Sequence, residues 1–380
     1  MAATDSYAGG DGRLSPLSTP SATRAVLEAH GIGTKYTLGQ NFLVNDDVLK
    51  KIIALAEVGE NDRVLEVGPG IGTLTIALLK HAASVIAIER DPDLPAVLAD
   101  TLHPWREKFA LIEKDALDVT RDDIVAAMVE IGGDTGYPDR ASSAANETAQ
   151  WAVSQSEDCL SESGYHVAPP QEDLQLSLPS KLVANLPYAV AATVVLDYFE
   201  SFPFLDSATI MVQKEVADRM VAAVGTKNYG AYTVKLGLYA EPAGRFAVGP
   251  GNFFPPPRVD SAVIRLNRRV PLMADGAPAS PEVIAAAALM ADAAFTNRRK
   301  TIANSCKTYF SGRGPILLGV ADSSAAEGAP TIALPDGAAT AERLPAIFEA
   351  AAIDPRRRGE TLTQQEFLAL GAALLRVTAA

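Results

Sequence analysis

Two cysteines, Cys159 and Cys306, in 380 residues are too few for a disulfide framework or a cysteine-built zinc site. Four histidines make a His-based metal cluster equally unexpected, so no metal is expected. No apolar run approaches the roughly 20 residues a membrane span needs. The first thirty residues lack the basic stretch followed by an apolar run that marks a secretory leader. Positive charge is also short, with 33 Lys plus Arg against 46 Asp plus Glu and a net charge of −13. That balance argues against holding nucleic acid by bulk charge, but not against a local basic groove on an acidic body. What the chain does have is apolar residues, 48% of the total, enough for a sizeable core. Its length suits two or three domains. A cytosolic enzyme or binding protein remains.

Composition divides the chain. Residues 1–33, rich in Ala, Gly, Ser and Thr, read as a flexible N-terminal extension. From about 132 to 178 there is no helical or strand period, and up to Ser180 eight acidic residues face the single Arg140. This low-complexity acidic insertion holds over half of the net negative charge, which weakens the charge argument against nucleic acid. A second low-complexity stretch runs from about 311 to 340. The expected organisation is a body over 34–269 carrying the acidic insertion, then a helical domain over 270–380.

Within the body, strands and helices alternate. Val64 to Val67 reads as a buried strand ending at Gly68. Thr73 to Lys80 reads as a helix, with Leu74, Ala77 and Leu78 on one face. Strands follow at Ser84–Ile88, Phe109–Ile112, Lys181–Ala184 and Ala208–Val212, with a helix over Val190–Tyr198. This α/β order implies a mostly parallel sheet with helices on both faces. Right-handed crossovers then bring the strand ends at Gly68, Glu89, Asp115 and Asn185 to one edge. After about Val270 the pattern becomes purely helical.

That edge carries the chemistry. Glu66-Val67-Gly68-Pro69-Gly70-Ile71-Gly72 joins a strand to a helix. Its G-x-G-x-G spacing is not the dinucleotide fingerprint, and Glu66 would repel a pyrophosphate. Glu89 lies 21 positions after Gly68, where a carboxylate can accept ribose hydroxyls. A nucleoside without phosphates, such as S-adenosylmethionine, fits better than NAD. Asp115 is placed to accept from an adenine amino group. Taken singly these are an ordinary turn, a helix cap and a turn residue; their joint spacing gives them meaning.

Asn185-Leu186-Pro187-Tyr188 follows the fourth strand directly. The exocyclic amine of adenine is a poor nucleophile because its lone pair is delocalised into the ring. The Asn185 side-chain oxygen and the Leu186 carbonyl can accept both amine hydrogens and localise that lone pair. Pro187 fixes φ and removes a competing donor. Tyr188 would stack on a flipped base. In isolation such a string is a common strand-to-helix turn with a buried Tyr.

With these residues the sequence resembles the ribosomal RNA adenine N6-dimethyltransferases, above all the bacterial small-subunit type. Leu38-Gly39-Gln40-Asn41-Phe42-Leu43 is similar to the family's GQNFL, which folds over the methionine part of the cofactor. Gln213-Lys214-Glu215-Val216 with Arg219 resembles its QKEV-x-x-R. Phe253 to Ser261 (FFPPPRVDS) resembles its F-x-P-x-P-x-V-D-S loop, whose first Phe packs on the target base. Ala294 to Thr301 (AFTNRRKT) resembles the start of its helical domain.

The resemblance implies a class I, Rossmann-like S-adenosylmethionine-dependent methyltransferase fold with a small C-terminal α-helical domain. It implies S-adenosylmethionine at Gln40, Asn41, Leu43, Glu66, Gly68, Gly70, Glu89, Asp115, Ala116 and Asn185. Catalysis would fall to Asn185, Leu186, Pro187, Tyr188 and Phe253. Lys214, Arg219, Arg258, Arg298, Arg299 and Lys300 would face RNA. The implied partner of this monomeric, cytoplasmic enzyme is 16S ribosomal RNA in a pre-assembled small subunit. Two further basic runs, Arg356–Arg358 and Arg265 with Arg268 and Arg269, are expected to extend the RNA groove. Three alternatives stand beside this reading: the large-subunit dimethyltransferase of macrolide resistance, a non-catalytic ribosome-assembly or transcription factor on the same fold, and a DNA adenine methyltransferase.

Overall fold

A computed structural model describes residues 12–34, 40–131, 178–319 and 331–379. The expected acidic insertion therefore lies outside the described residues, apart from Leu178, which is buried in the core.

The chain opens on helix α1 (Pro20–Ala29). Thr19 caps it by accepting from the Ala22 amide at 3.1 Å, and Pro20 starts the first turn, where its missing N–H is no loss. Leu17, Val26 and Leu27 are buried in the main body. The Asp46 carboxylate accepts from the amides of Leu14 (2.8 Å) and Ser15 (3.2 Å). From Gly12 onward the expected flexible extension is thus folded, and it packs on the core through Leu17, Val26 and Leu27. Composition misleads here because the apolar face of α1 is only a few residues wide.

A two-residue strand β1 (Phe42–Leu43) and helix α2 (Asp46–Ala56) lead into the sheet. Its strands are β2 (Arg63–Val67), β3 (Ser84–Ile88), β4 (Phe109–Ile112), β5 (Lys181–Asn185), β6 (Ser207–Gln213), β7 (Ala240–Val248) and β9 (Ser261–Arg268). Between the last two lies β8 (Phe253–Phe254), which pairs antiparallel with β1, and the Phe254–Pro255 peptide is cis. The seven strands run in the order β4-β3-β2-β5-β6-β9-β7. The first five are parallel and β9 is antiparallel to both its neighbours.

Successive strand residues point to opposite faces, and both faces are buried. Leu65, Val67, Ile86 and Ile88 enter one core, with α5 (Arg121–Ile131), α6 (Ala191–Ser201) and α7 (Lys214–Met220). Val64, Val85 and Val183 enter the other, with α1, α2, α3 (Thr73–Leu79) and α4 (Leu94–Thr101). Helix α8 (Ala231–Gly237) joins the two parts of the molecule, Leu236 packing into the sheet core and Val234 into a separate helical core.

That second core is built by α9 (Pro281–Phe295), α10 (Ile302–Phe310), α11 (Gly337–Ala350) and α12 (Gln364–Ala379). The region after Val270 is not purely helical, however. A hairpin of β10 (Pro315–Gly319) and β11 (Thr331–Asp336) lies inside the stretch expected to be low-complexity, and residues 320–330 of that stretch fall outside the described residues. Ile316 pairs with Leu334 and Leu318 with Ile332, a short alternation that packs on the helical core. Its period spans too few residues to stand out against the surrounding Ala, Gly and Ser.

Candidate active site

Parallel strands bring the ends of β2, β3 and β5 to one edge, where they line a cavity with Gln40–Leu43 above it. The turn after β2 is tight because Gly68 and Gly70 have φ of +70° and +61°. A Cβ on Gly70 would stand 3.1 Å from the Phe42 ring, so glycine lets the β1 segment close onto the turn.

Two carboxylates face this space. Glu66 is 1% exposed, and its Oε2 has no hydrogen-bond partner among the described residues. Burial pushes its carboxyl up to about 8, and the neighbouring Glu89 charge adds to the shift. Glu89 accepts from the amides of Arg90 and Asp91, both at 2.9 Å. Burial still holds its carboxyl above the usual range, against the pull of those amides and of Gly70.

Asp91, itself fully buried, accepts from Gln40 Nε2 at 2.7 Å and so ties the β1 segment to the end of β3. No sequence signal marks Asp91, because the string Arg90-Asp91-Pro92-Asp93 reads as a surface turn. Asn185 Nδ2 donates to the Asn41 carbonyl at 3.2 Å. With the amide nitrogen so committed, Oδ1 is the atom that accepts. Leu186 and Tyr188 line the same cavity, and Pro187 packs its ring 3.6 Å from where a Gly68 Cβ would be. The Tyr188 hydroxyl lies 2.6 Å from Ser261 Oγ, a pairing the sequence does not reveal although Ser261 ends a motif. Burial pushes the Tyr188 phenol up, so it stays neutral.

Asn185, Leu186, Tyr188, Gln40, Asn41, Leu43, Glu66, Gly68, Gly70 and Glu89 thus converge on one cavity. Pro187 packs beside the Gly68 turn without lining the cavity, and three further expected residues are placed away from it. Asp115 does not line the cavity. Its carboxylate pairs with Arg90 at 2.7 Å and caps the Leu117 amide at 3.1 Å, and the guanidinium holds its carboxyl below the usual range. Ala116 is buried, its carbonyl accepting from the Tyr198 hydroxyl at 3.0 Å. Phe253 is 4% exposed, paired with Leu43 in the core rather than presented to a base; sequence could not show that β1 covers it. The enclosed space is about 80 Å³, well under the roughly 300 Å³ and more usual for ligand sites. A nucleoside would fill more than this space. The donor set suits such a ligand. Glu89 offers acceptors for ribose hydroxyls, and the orphaned Glu66 oxygen offers one for a cationic or hydrogen-bonding group.

The basic residues sort by partner. Arg258, Arg299 and Lys300 are exposed and have no ion-pair partner among the described residues. Lys214 pairs with Asp218 at 2.9 Å and Arg219 approaches Glu215 at 3.9 Å. Arg298 bridges Glu360 (3.0 Å) and the Thr226 carbonyl (3.1 Å). The expected basic run at Arg265, Arg268 and Arg269 is structural instead. Arg268 donates to the carbonyls of Leu205, Phe199 and Phe202, Arg265 pairs with Glu57 at 2.7 Å, and Arg269 reaches Gln364 at 3.3 Å. In the Arg356–Arg358 run, Arg357 pairs with Glu366 and Arg356 with Asp354, while Arg358 is exposed. Among the described residues no group of His, Cys, Asp or Glu could hold a metal ion, and no helix is long and apolar enough to cross a membrane.

A family model described as ribosomal RNA adenine dimethylase matches residues 33–329. The ribosomal RNA small subunit methyltransferase A of Geobacillus sp. (strain WCH70) is 32% identical over 361 residues, covering 95% of this chain and 98% of its own. The protein of the same name from Staphylococcus aureus (strain Newman) is 32% identical over 355 residues, 93% of this chain and 94% of its own. Among solved structures, a dimethyladenosine transferase from Plasmodium falciparum shares the fold with a TM-score of 0.54 at 20% identity. It covers 87% of this chain and 95% of that one.

Proposed function

The chain belongs to the ribosomal RNA adenine dimethylase family, and on that premise we propose that it methylates N6 of two adjacent adenines near the 3′ end of 16S ribosomal RNA. The product is N6,N6-dimethyladenosine, the methyl donor S-adenosylmethionine, and the setting small-subunit biogenesis. The protein works as a monomer in the cytoplasm on a pre-assembled small subunit. The donor supplies, when bound, a methyl group on a sulfonium that needs no strong base to accept attack. Gln40, Asn41, Leu43, Glu66, Gly68, Gly70 and Glu89 would hold it.

The observation that carries this reading is the Asn185 amide. Its nitrogen is tied to the Asn41 carbonyl, which holds the amide in place, and the residue lines the cavity, where its oxygen can serve as a fixed acceptor. An acceptor fixed before the base arrives aligns the amine without reorganisation at the moment of reaction. Tyr188 offers the stacking face beside it. Asp115 reaches an adenine only by releasing Arg90, and Phe253 reaches the target base only by leaving the core. Both movements belong to the proposal.

The test is methyl transfer to small subunits that lack the modification, with nucleoside analysis of the digested RNA. N6,N6-dimethyladenosine in the 16S RNA is expected. Its absence, or its appearance in large-subunit RNA instead, refutes the assignment.

A further inference from the structure

We propose that Ser261 is a positioning residue for methyl transfer: its hydroxyl anchors the tip of the Tyr188 ring, on which the target adenine stacks, and so fixes where the ring's long axis points. The inference rests on adenine N6 methylation as the reaction. Phenylalanine would offer the same stacking face as tyrosine, so the phenol oxygen needs its own explanation. That oxygen lies 2.6 Å from Ser261 Oγ. Ser261 is fully buried and does not line the cavity, whereas the Tyr188 ring does.

Ser261 is a rigid anchor. It opens β9 and is paired on both sides, with Gln213 of β6 and with Val248 of β7. The other end of Tyr188 is held as firmly. The Pro187 carbonyl accepts from the amides of Val190 (3.2 Å) and Ala191 (3.1 Å), and the Leu186 amide donates to the Met211 carbonyl at 3.1 Å. A ring held at its backbone alone can still rock about its side-chain torsions. A ring whose tip is also bonded to a sheet cannot tilt without breaking that bond. The phenol remains protonated because burial outweighs the bond to Ser261, which pulls the other way.

The two halves of the base site are then locked by segments that precede and follow it in the chain. Asn41 orients the Asn185 acceptor and Ser261 orients the Tyr188 ring. Since in-line attack depends on the angle between the amine and the methyl donor, the placement of the ring affects turnover more than binding.

The experiment compares wild type, Ser261→Ala, Tyr188→Phe and the double variant on small subunits lacking the modification. It reads kcat, KM, S-adenosylmethionine affinity by calorimetry and melting temperature. Each single change should lower kcat about three- to tenfold, the scale of one neutral hydrogen bond, with donor affinity and KM unchanged. The double variant should be no slower than Tyr188→Phe, because both changes break one bond. Tyr188→Phe breaks that bond without touching the sheet, so it decides the matter even if Ser261→Ala folds poorly. Wild-type kcat in the single variants, additive losses, or losses that only follow a lower melting temperature would overturn the proposal. If wild type makes no dimethyladenosine, adenine methylation itself falls and this inference with it. Active wild type with unaffected single variants refutes Ser261 alone.

Discussion

Glu66 is a buried carboxyl whose second oxygen finds no partner among the described residues, and burial raises it from near 4.5 to about 8. The folded protein therefore holds a proton that the unfolded chain releases above about pH 4.5. The stabilisation is fully present below that value and is lost as pH rises through about 8. Stability should fall between about pH 5 and 8, and Glu66→Gln should flatten that slope in urea denaturation; an unchanged slope would place the titration elsewhere. Glu89 is raised in the same direction, so part of the slope should persist. Asn185 has a different role. Removing one preorganised polar group at a reacting centre costs about 10²–10³ in rate, so Asn185→Ala should lose turnover by that factor. RNA binding should remain, since the exposed basic residues lie elsewhere. Dimethyladenosine formed at the normal rate by this variant would exclude Asn185 from the chemistry.

At the scale of elements, the helical part depends on small residues. A Cβ on Gly371 of α12 would stand 2.6 Å from the Ala287 amide and 2.7 Å from the Val283 carbonyl of α9. The alanines of α9, among them Ala286, Ala287 and Ala291, are buried in these cores. Gly371→Ala raises helix propensity by about 1 kcal/mol but forces two backbones apart, an overpacking cost of about 1–3 kcal/mol. The clash is with backbone and cannot relax by rotamer change, so the variant should be less stable in urea denaturation. A gain in stability would show that the helices separate freely. Helix α1 makes the complementary point. Composition does not reveal it, yet it covers β1 and β8, with the Arg24 guanidinium 5.3 Å from the Phe254 ring centroid.

For the whole molecule, net charge describes the RNA face poorly. The chain carries −13, yet Arg258, Arg299, Lys300 and Arg358 are exposed without acidic partners among the described residues. Arg298 belongs with the scaffold, since it joins α12's approach at Glu360 to the loop at Thr226. Replacing Arg299 and Lys300 with Ala should flatten the salt dependence of RNA binding by about 0.7–0.9 in log–log slope for each phosphate no longer neutralised, with stability unchanged. Arg298→Ala should instead lower the melting temperature. Equal effects of the two changes on stability and on salt slope would contradict this division.

Local sequence determined the strands and the turn chemistry. Ser84–Ile88 and Phe109–Ile112 lie where an unbroken apolar run puts them, and Gly68, Gly70, Glu89 and Asn185 follow strand ends that parallel topology must gather on one edge. Such features depend on near neighbours and on a chirality rule, so they are legible without a fold. Tertiary structure alone decided the partners. Arg90 takes Asp115, Asp91 takes Gln40, Ser261 takes Tyr188, and Arg268 takes three carbonyls that a surface reading would have left to water. These pairs are separated by between 25 and 73 positions, and nothing in residue type distinguishes an arginine that will meet RNA from one that will meet a helix end. A charge or hydroxyl binds whichever group the packed chain sets within about 3 Å of it, and that distance exists only once the sheet has closed.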